Sequence, residues 1–489
     1  MSERLLLVLD EGTTSTRAML YSLDGTRLAT AHAPLTHYYP QPGWVEHDAA
    51  EIWNRTLDCA RQMVTRAGGA DRIAAIGITN QRETVVAWSR RTGEPLGPAI
   101  VWQDRRTADS CAALRAAGHE PMLQRRTGLV IDPYFSATKM RWLIDHVPEV
   151  AAAGDDLALG TIESWLVWKL TGGLHISDAS NASRTQLIAL DGDSWDAGLC
   201  DLFGVPGAAL PEVVDNAGRF GETLPDLFGA PIPICGLAGD QQAATIGQAC
   251  LSPGDVKATL GTGAFILANM GEARPASAHR LLGTLLCRIG GRRSFALEGS
   301  IFVAGSLIQW LRDTLGLIAT SAETEALARS VPDNGGVVML PALAGLGAPH
   351  WRPDATGMIA GITQGTTRAH IVRAALESIA HQCHDLADAF AADGAPWRSL
   401  RIDGGMSAND WIAQDLADML DVPVERPADV ETTARGAAML AAVGAGLFPT
   451  LEAATAMCPQ TQRFDPAMAA LDRDPRLAKW RALLASGPI

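Results

Sequence analysis

"LLLVLDEGTTSTRAMLYSLDG", residues 5–25, decides how the rest of the chain is read. An apolar run of five residues ends on Asp10, which the pattern predicts to be a buried strand. "RAMLYSLDG" reads as a second strand closed by an Asp-Gly turn. Between them lies a corner of Gly12, Thr13, Thr14 and Ser15, followed by Arg17. No GxxxxGK[ST] pattern is present and a strand rather than a helix follows, so this is not a P-loop. Two readings stay open on these residues alone. Gly, Thr and Ser fill ordinary hairpin turns. The same corner lets backbone approach a ligand at Gly12, offers hydroxyls and N–H groups to phosphate oxygens, and adds a cation at Arg17. Asp10 at the strand end could then serve a hydrated Mg2+.

Further along, "ATLGTGAF" places Gly261, Thr262 and Gly263 at a second Gly-Thr corner between apolar runs. Two such units make a weak internal repeat and predict two similar domains, 1–250 and 251–489, packed around a cleft. "RIDGGMSANDW" predicts a strand, two glycines that expose flat backbone, and a helix capped by Ser407. In "GSIFVAGSLIQWL", Gly305 and Gln309 are four apart and share a helix face. Two phosphate-type corners and two glycine-marked surfaces suggest a nucleotide held between the domains.

Asp240, in "GLAGDQQAATIGQ", is either the cap of a small-residue helix or a general base at the cleft. Arg82 and Glu83, in "TNQRETVVAW", are neighbours and so face opposite sides of a regular strand. They reach one ligand only if the strand has ended before them. "AIVWQDRR" reads as another strand. By default Trp102 and Tyr134 are core aromatics. Asp48 and Glu51 form a capping pattern that starts a helix.

The chain has 489 residues, with 40 Lys and Arg against 54 Asp and Glu, a formal charge of -14. That balance argues against a nucleic-acid partner, which needs a basic face. Alternating strand and helix patterns indicate an α/β protein. Eight scattered cysteines without a CxxC pair point to a reduced, cytoplasmic protein. "HQCH", residues 381–384, reads as plain helix rather than metal site. The apolar run near the N-terminus is too short for a signal or membrane segment, so no membrane insertion is expected.

"LDEGTTSTRA", "PGWVEHDAAEIW", "IAAIGITNQRET", "IVWQDRRTA", "GLVIDPYFSATK", "NASRTQL", "GLAGDQQAA", "LGTGAF", "ALEGSIFVAGSLIQWLRD", "GLGAPHW" and "RIDGGMSAND" together resemble the FGGY carbohydrate kinases, within the actin-like ATPases. The likeness runs from residue 9 to about 440 and is greatest to members acting on glycerol. It implies two actin-like, ribonuclease H-like domains around a nucleotide- and substrate-binding cleft. The 1–250 domain would hold polyol, phosphate and metal, and the 251–489 domain the adenine nucleotide. It implies in-line transfer of a phosphoryl group from ATP, with Mg2+, to glycerol. Asp240 would be the general base. Arg82, Glu83, Tyr134, Asp240 and Gln241 would bind polyol hydroxyls, and Trp102 and Phe265 its carbon edge. Thr13, Thr14, Ser15, Arg17, Thr262, Gly305, Gln309, Gly405 and Asn409 would hold the nucleotide, and Asp10 the metal, mostly through water.

The family pattern also implies a homo-oligomer, dimer or tetramer. Alternatives are a kinase for erythritol or dihydroxyacetone, or an actin- or Hsp70-like ATPase without a small-molecule acceptor. Departures are visible too. "GETLPDLFGAPIPI" lacks the arginine-containing loop that binds fructose 1,6-bisphosphate in some members, and lacks a phosphorylatable histidine, so neither control is expected. His350 in "GAPHWRP" and Ala137 in "YFSATK" replace the family's usual residues.

Overall fold

Leu5–Glu11 forms a strand buried at every position. It pairs antiparallel with Ser15–Tyr21 and parallel with Ile73–Asn80, which explains why its apolar run is unbroken rather than alternating. The computed structural model describes residues 4–352 and 354–486. This first sheet has six strands, in the order Ala217–Glu222, Pro233–Gly239, Ile73–Asn80, Leu5–Glu11, Ser15–Tyr21, Arg27–Pro34.

The second Gly-Thr unit repeats the arrangement. Asp255–Leu260 pairs antiparallel with Ala264–Gly271 and parallel with Ser399–Asp403. Beyond these, Ser399–Asp403 pairs parallel with Val424–Pro427, which pairs antiparallel with Thr461–Phe464. On the other side Arg292–Ile301 and Leu282–Ile289 complete seven strands. The first sheet shows the same sequence of parallel, parallel and antiparallel pairings out from its own opening strand. The internal repeat therefore extends well past one turn and two strands. A smaller four-stranded sheet joins Glu46–His47, Ala99–Ile100, Val85–Ser89 and Leu157–Thr161.

The chain does not stay on one side after residue 250. Helix Thr432–Gly444 packs its alanines with Leu6, Val8, Met19 and Cys235, all from the first sheet. It also crosses helix Asp240–Gly247 with backbone against backbone. A Cβ on Gly247 would sit 1.9 Å from the Thr432 carbonyl oxygen, and one on Gly436 would sit 1.8 Å from that of Ala243. Only glycine permits that approach.

Asp48 does cap helix Ala49–Ala67, accepting from the Ala50 N–H, but Glu51 turns away to accept from Thr36. "AIVWQDRR" is strand only at Ala99–Ile100, because the chain turns at once toward the cleft. The helix after the double glycine, Asp410–Leu420, is capped by Asn409 rather than Ser407. Ser407 instead closes a 3-10 turn, its hydroxyl donating to the Gly404 carbonyl at 2.7 Å. No helix among the described residues is long and apolar enough to cross a membrane.

Candidate active site

Both corners lie at the ends of the opening strands of their sheets. In the first, the Gly12 N–H donates to the Ser15 carbonyl at 3.0 Å, which pinches the hairpin. Thr14 is exposed at its tip. Arg17 reaches back from the second strand, one guanidinium nitrogen on Asp10 at 2.5 Å and the other on Glu431 at 2.7 Å. Burial pushes the Asp10 carboxyl above its usual range, and Arg17 opposes this.

In the second corner, Thr262 is exposed and its carbonyl accepts from the N–H groups of Ala304 and Ser306. The Gly305 N–H donates to Gly261 at 2.8 Å. The start of helix Gly305–Asp313 is thereby bonded onto the corner, with Gln309 exposed one turn on. A Cβ on Gly305 would meet Met406, so the Gly404–Gly405 surface adjoins the same place. Thr262, Gly305 and Gly405 are thus brought together. Asn409 lies farther along, spending its side chain on the Ile412 N–H and the Thr324 hydroxyl.

The residues read as polyol ligands also converge. The strand Ile73–Asn80 ends before Arg82, and Glu83 has φ of 60°, in the left-handed region. That turn in the backbone is what lets neighbouring side chains face one site. The Glu83 carboxyl, pushed up by burial, accepts from Arg184 at 2.6 Å and lies 3.9 Å from Arg82. Arg82 donates to the Tyr134 hydroxyl at 3.3 Å and faces Asp240 at 3.4 Å. Trp102 meets Tyr134 edge-on, with centroids 5.6 Å apart, and Phe265 likewise at 6.2 Å. These aromatics are partly buried, and Tyr134 also packs against a core cluster. The Trp102 indole N–H donates to the Thr13 hydroxyl at 2.9 Å, so the aromatic wall touches the first corner.

Asp240 is the first residue of its helix, with Gly239 in the cap position, so it does not act as the N-cap. About a third of its side chain remains exposed to the cleft. Burial pushes its carboxyl up, while Arg82 and Lys257 pull it back. Gln241 accepts from the buried Lys257 ammonium at 2.6 Å.

Asp10 and Asp240 are near enough for the charge on one to raise the other's pKa. No group of three or more metal-ligating side chains occurs among the described residues. Two carboxylates beside the corner at residues 12–15 would suit Mg2+, which keeps most of its water and takes few protein oxygens. The "HQCH" rings go elsewhere: His381 stacks on Trp480, and His384 faces Asp388.

Residues 5–247 match the pattern of the FGGY family of carbohydrate kinases, N-terminal domain, and residues 256–445 match that family's C-terminal domain. The chain belongs to the FGGY carbohydrate kinases. It is 53% identical over 487 residues to a glycerol kinase of Rhodospirillum centenum, covering 98% of each chain. Its structure is similar to that of a Plasmodium falciparum glycerol kinase solved with ADP, with a TM-score of 0.94, 34% identity, and coverage of 100% of this chain and 99% of that one. A xylulose kinase from Rhodospirillum rubrum shares the architecture with a TM-score of 0.88 at 29% identity, covering 99% of both chains.

Besides Lys257, this FGGY kinase has three buried charged residues at its centre that the sequence pattern did not single out. Arg184 and Glu298 are fully buried beside Arg82 and Glu83. Lys139 is fully buried, donates to the Tyr134 carbonyl at 2.5 Å, and is brought down to about 8 by burial. They lie in "NASRTQL", "ALEGSIF" and "SATK". The available signal was a lone charge within each of these short stretches.

Proposed function

We propose that this kinase transfers the γ-phosphoryl group of ATP to a terminal hydroxyl of glycerol, giving sn-glycerol 3-phosphate. The observation that carries this is the convergence of Arg82, Glu83, Tyr134 and Asp240 beside the Trp102–Phe265 wall, itself hydrogen-bonded to the Thr13 corner. A small, fully hydrated triol must exchange its water for such donors and acceptors, and a carboxylate, guanidinium and phenol supply both. The aromatic edge fits the carbon side and decides which end faces the nucleotide. The similarity to glycerol kinases along nearly the whole chain supports the same acceptor.

Asp240 takes the proton of the attacking hydroxyl as its oxygen approaches phosphorus. The Thr13–Ser15 corner, Arg17, Thr262, Gly305, Gln309, Gly405 and Asn409 hold the nucleotide. Phosphoryl transfer depends mostly on such positioning and charge stabilisation. Asp10, with Asp240 near, would hold Mg2+ through water, and the ion supplies charge neutralisation on the phosphates. Residues 1–250 carry the polyol and phosphate groups and 251–489 the adenine side, with helix Thr432–Gly444 returning to the first sheet. The enzyme works in the cytoplasm, where its eight free cysteines stay reduced, as a homo-oligomer.

The test is ADP production from Mg·ATP with glycerol, dihydroxyacetone, erythritol, xylitol or no acceptor, for wild type and Asp240→Asn. Turnover preferring glycerol and falling about 10²- to 10⁴-fold in the variant is expected for a lost general base. Preference for a longer polyol would move the acceptor. Acceptor-independent hydrolysis untouched by the variant would sink the reading.

A further inference from the structure

Glu298 stands on strand Arg292–Ile301 of the second sheet, paired on both sides with Leu267 and Leu282. Its side chain crosses to the first unit and is completely buried there. One oxygen accepts from Arg82 at 2.6 Å; the other accepts from Arg82 at 3.0 Å and from Arg184 at 3.2 Å. Arg184 then holds Glu83 at 2.6 Å. Arg82, fixed bidentately, holds the Tyr134 hydroxyl and faces Asp240. A fork-to-carboxylate pair sets angle as well as distance. Arg82, Glu83, Tyr134 and Asp240 thus trace back to one carboxylate on a central strand of the second sheet, while Gln241 is held separately by Lys257.

We propose that Glu298 is a positioning residue for acceptor selectivity, aiming Arg82 directly and Glu83 through Arg184. This rests on the reading that Arg82 and Glu83 receive a polyol. Three alternatives for the guanidinium make the aim necessary. Without Glu298, Arg82 still has Asp240 at 3.4 Å, Glu83 at 3.9 Å and Gln242 at 3.4 Å. Two buried guanidinium groups left without their shared anion also repel, so both leave their present positions. Arg82 would close on Asp240 and hold the proton acceptor in an ion pair.

The experiment compares wild type with Glu298→Gln, which keeps shape and removes charge, and with Arg184→Lys, which keeps charge and loses the fork. Steady-state constants for glycerol and for Mg·ATP, and kcat/KM against pH, are measured on full-length protein whose folding is checked by thermal melt. The expected result for Glu298→Gln is a glycerol KM raised about 30-fold or more, with the ATP KM within about 3-fold. Its kcat/KM should favour erythritol over glycerol more than wild type does. Its acid limb should move to lower pH, because Asp240 gains the freed guanidinium. Arg184→Lys should raise the glycerol KM alone, and it carries the test if Glu298→Gln does not fold. An unchanged glycerol KM, or both KM values rising together with the acid limb in place, overturns the inference. Wild-type protein that phosphorylates no polyol overturns instead the functional reading beneath it.

Discussion

Arg17 and Glu431 are 414 positions apart in sequence, yet their side chains meet at 2.7 Å. Arg17 also holds Asp10, so one guanidinium ties the first Gly-Thr corner to the loop that leads into helix Thr432–Gly444. Both ends of the Arg17–Glu431 pair are partly exposed, which limits its value for stability. Its effect is to orient Asp10.

Arg17→Gln removes both contacts and the cation proposed to face the nucleotide phosphates. The KM for Mg·ATP should rise about tenfold, equivalent to ~1.4 kcal/mol, while the glycerol KM changes less than about threefold. Steady-state assays varying each substrate in turn check this.

Phe265→Ala removes one side of the aromatic wall while leaving the charged cluster in place. Loss of about 1.5–3 kcal/mol of apolar contact should lower kcat/KM for glycerol by about 10- to 100-fold. Erythritol, one carbon longer, should lose less. A competition assay with both polyols reads the ratio directly.

Lys257→Met tests the electrostatics of Asp240. The folded-state carboxyl is already raised by burial, and the proposed general-base role requires it ionised, so kcat/KM should fall as pH drops through that raised value. Lys257 pulls it down. Removing the ammonium should shift the acid limb to higher pH, as a pH profile of kcat/KM would record.

Glu11 offers a test by stability. Its carboxyl is fully buried and burial pushes it from 4.5 up to about 8. Thr56 has one hydroxyl proton and three oxygens in reach, Glu11 at 2.7 Å, the Ile52 carbonyl at 2.8 Å and the Thr16 hydroxyl at 3.2 Å. A protonated Glu11 donating to Thr56 leaves the Thr56 proton for the Ile52 carbonyl. Its stabilisation is full below pH 4.5 and is lost as pH rises through about 8. Glu11→Gln lacks that dependence. Its melting temperature relative to wild type should therefore increase by about 2 °C or more between pH 5 and pH 9.

The strand–corner–strand units were legible because a buried parallel strand needs an unbroken apolar run and a tight corner needs Gly and Thr. Arg82 and Glu83 were legible only as a pair of charges, since their convergence depends on the φ of Glu83, which periodicity does not report. The default reading of Trp102 and Tyr134 as core held only in part, since Tyr134 packs on a core cluster while both stay partly exposed, and an aromatic's type does not say which face it keeps open. Glu298 and Arg184 stayed hidden for another reason. Each is a single charge in its local stretch, explained only by a partner at least a hundred residues away. The return of helix Thr432–Gly444 to the first sheet was equally hidden, because an alanine-rich helix fits either sheet.

Helix Asp240–Gly247 carries the proposed proton acceptor at its first residue and a bare backbone bearing at its last. Eight residues make a rod of about 12 Å, too short to bend away a displacement at one end. A methyl group added at Gly247 therefore acts as a lever on Asp240. Random mutagenesis screened for lost activity would recover changes at this crossing, in residues that touch neither substrate. Such hits would mark a mechanical tolerance, set by how closely two backbones run, and not a chemical one.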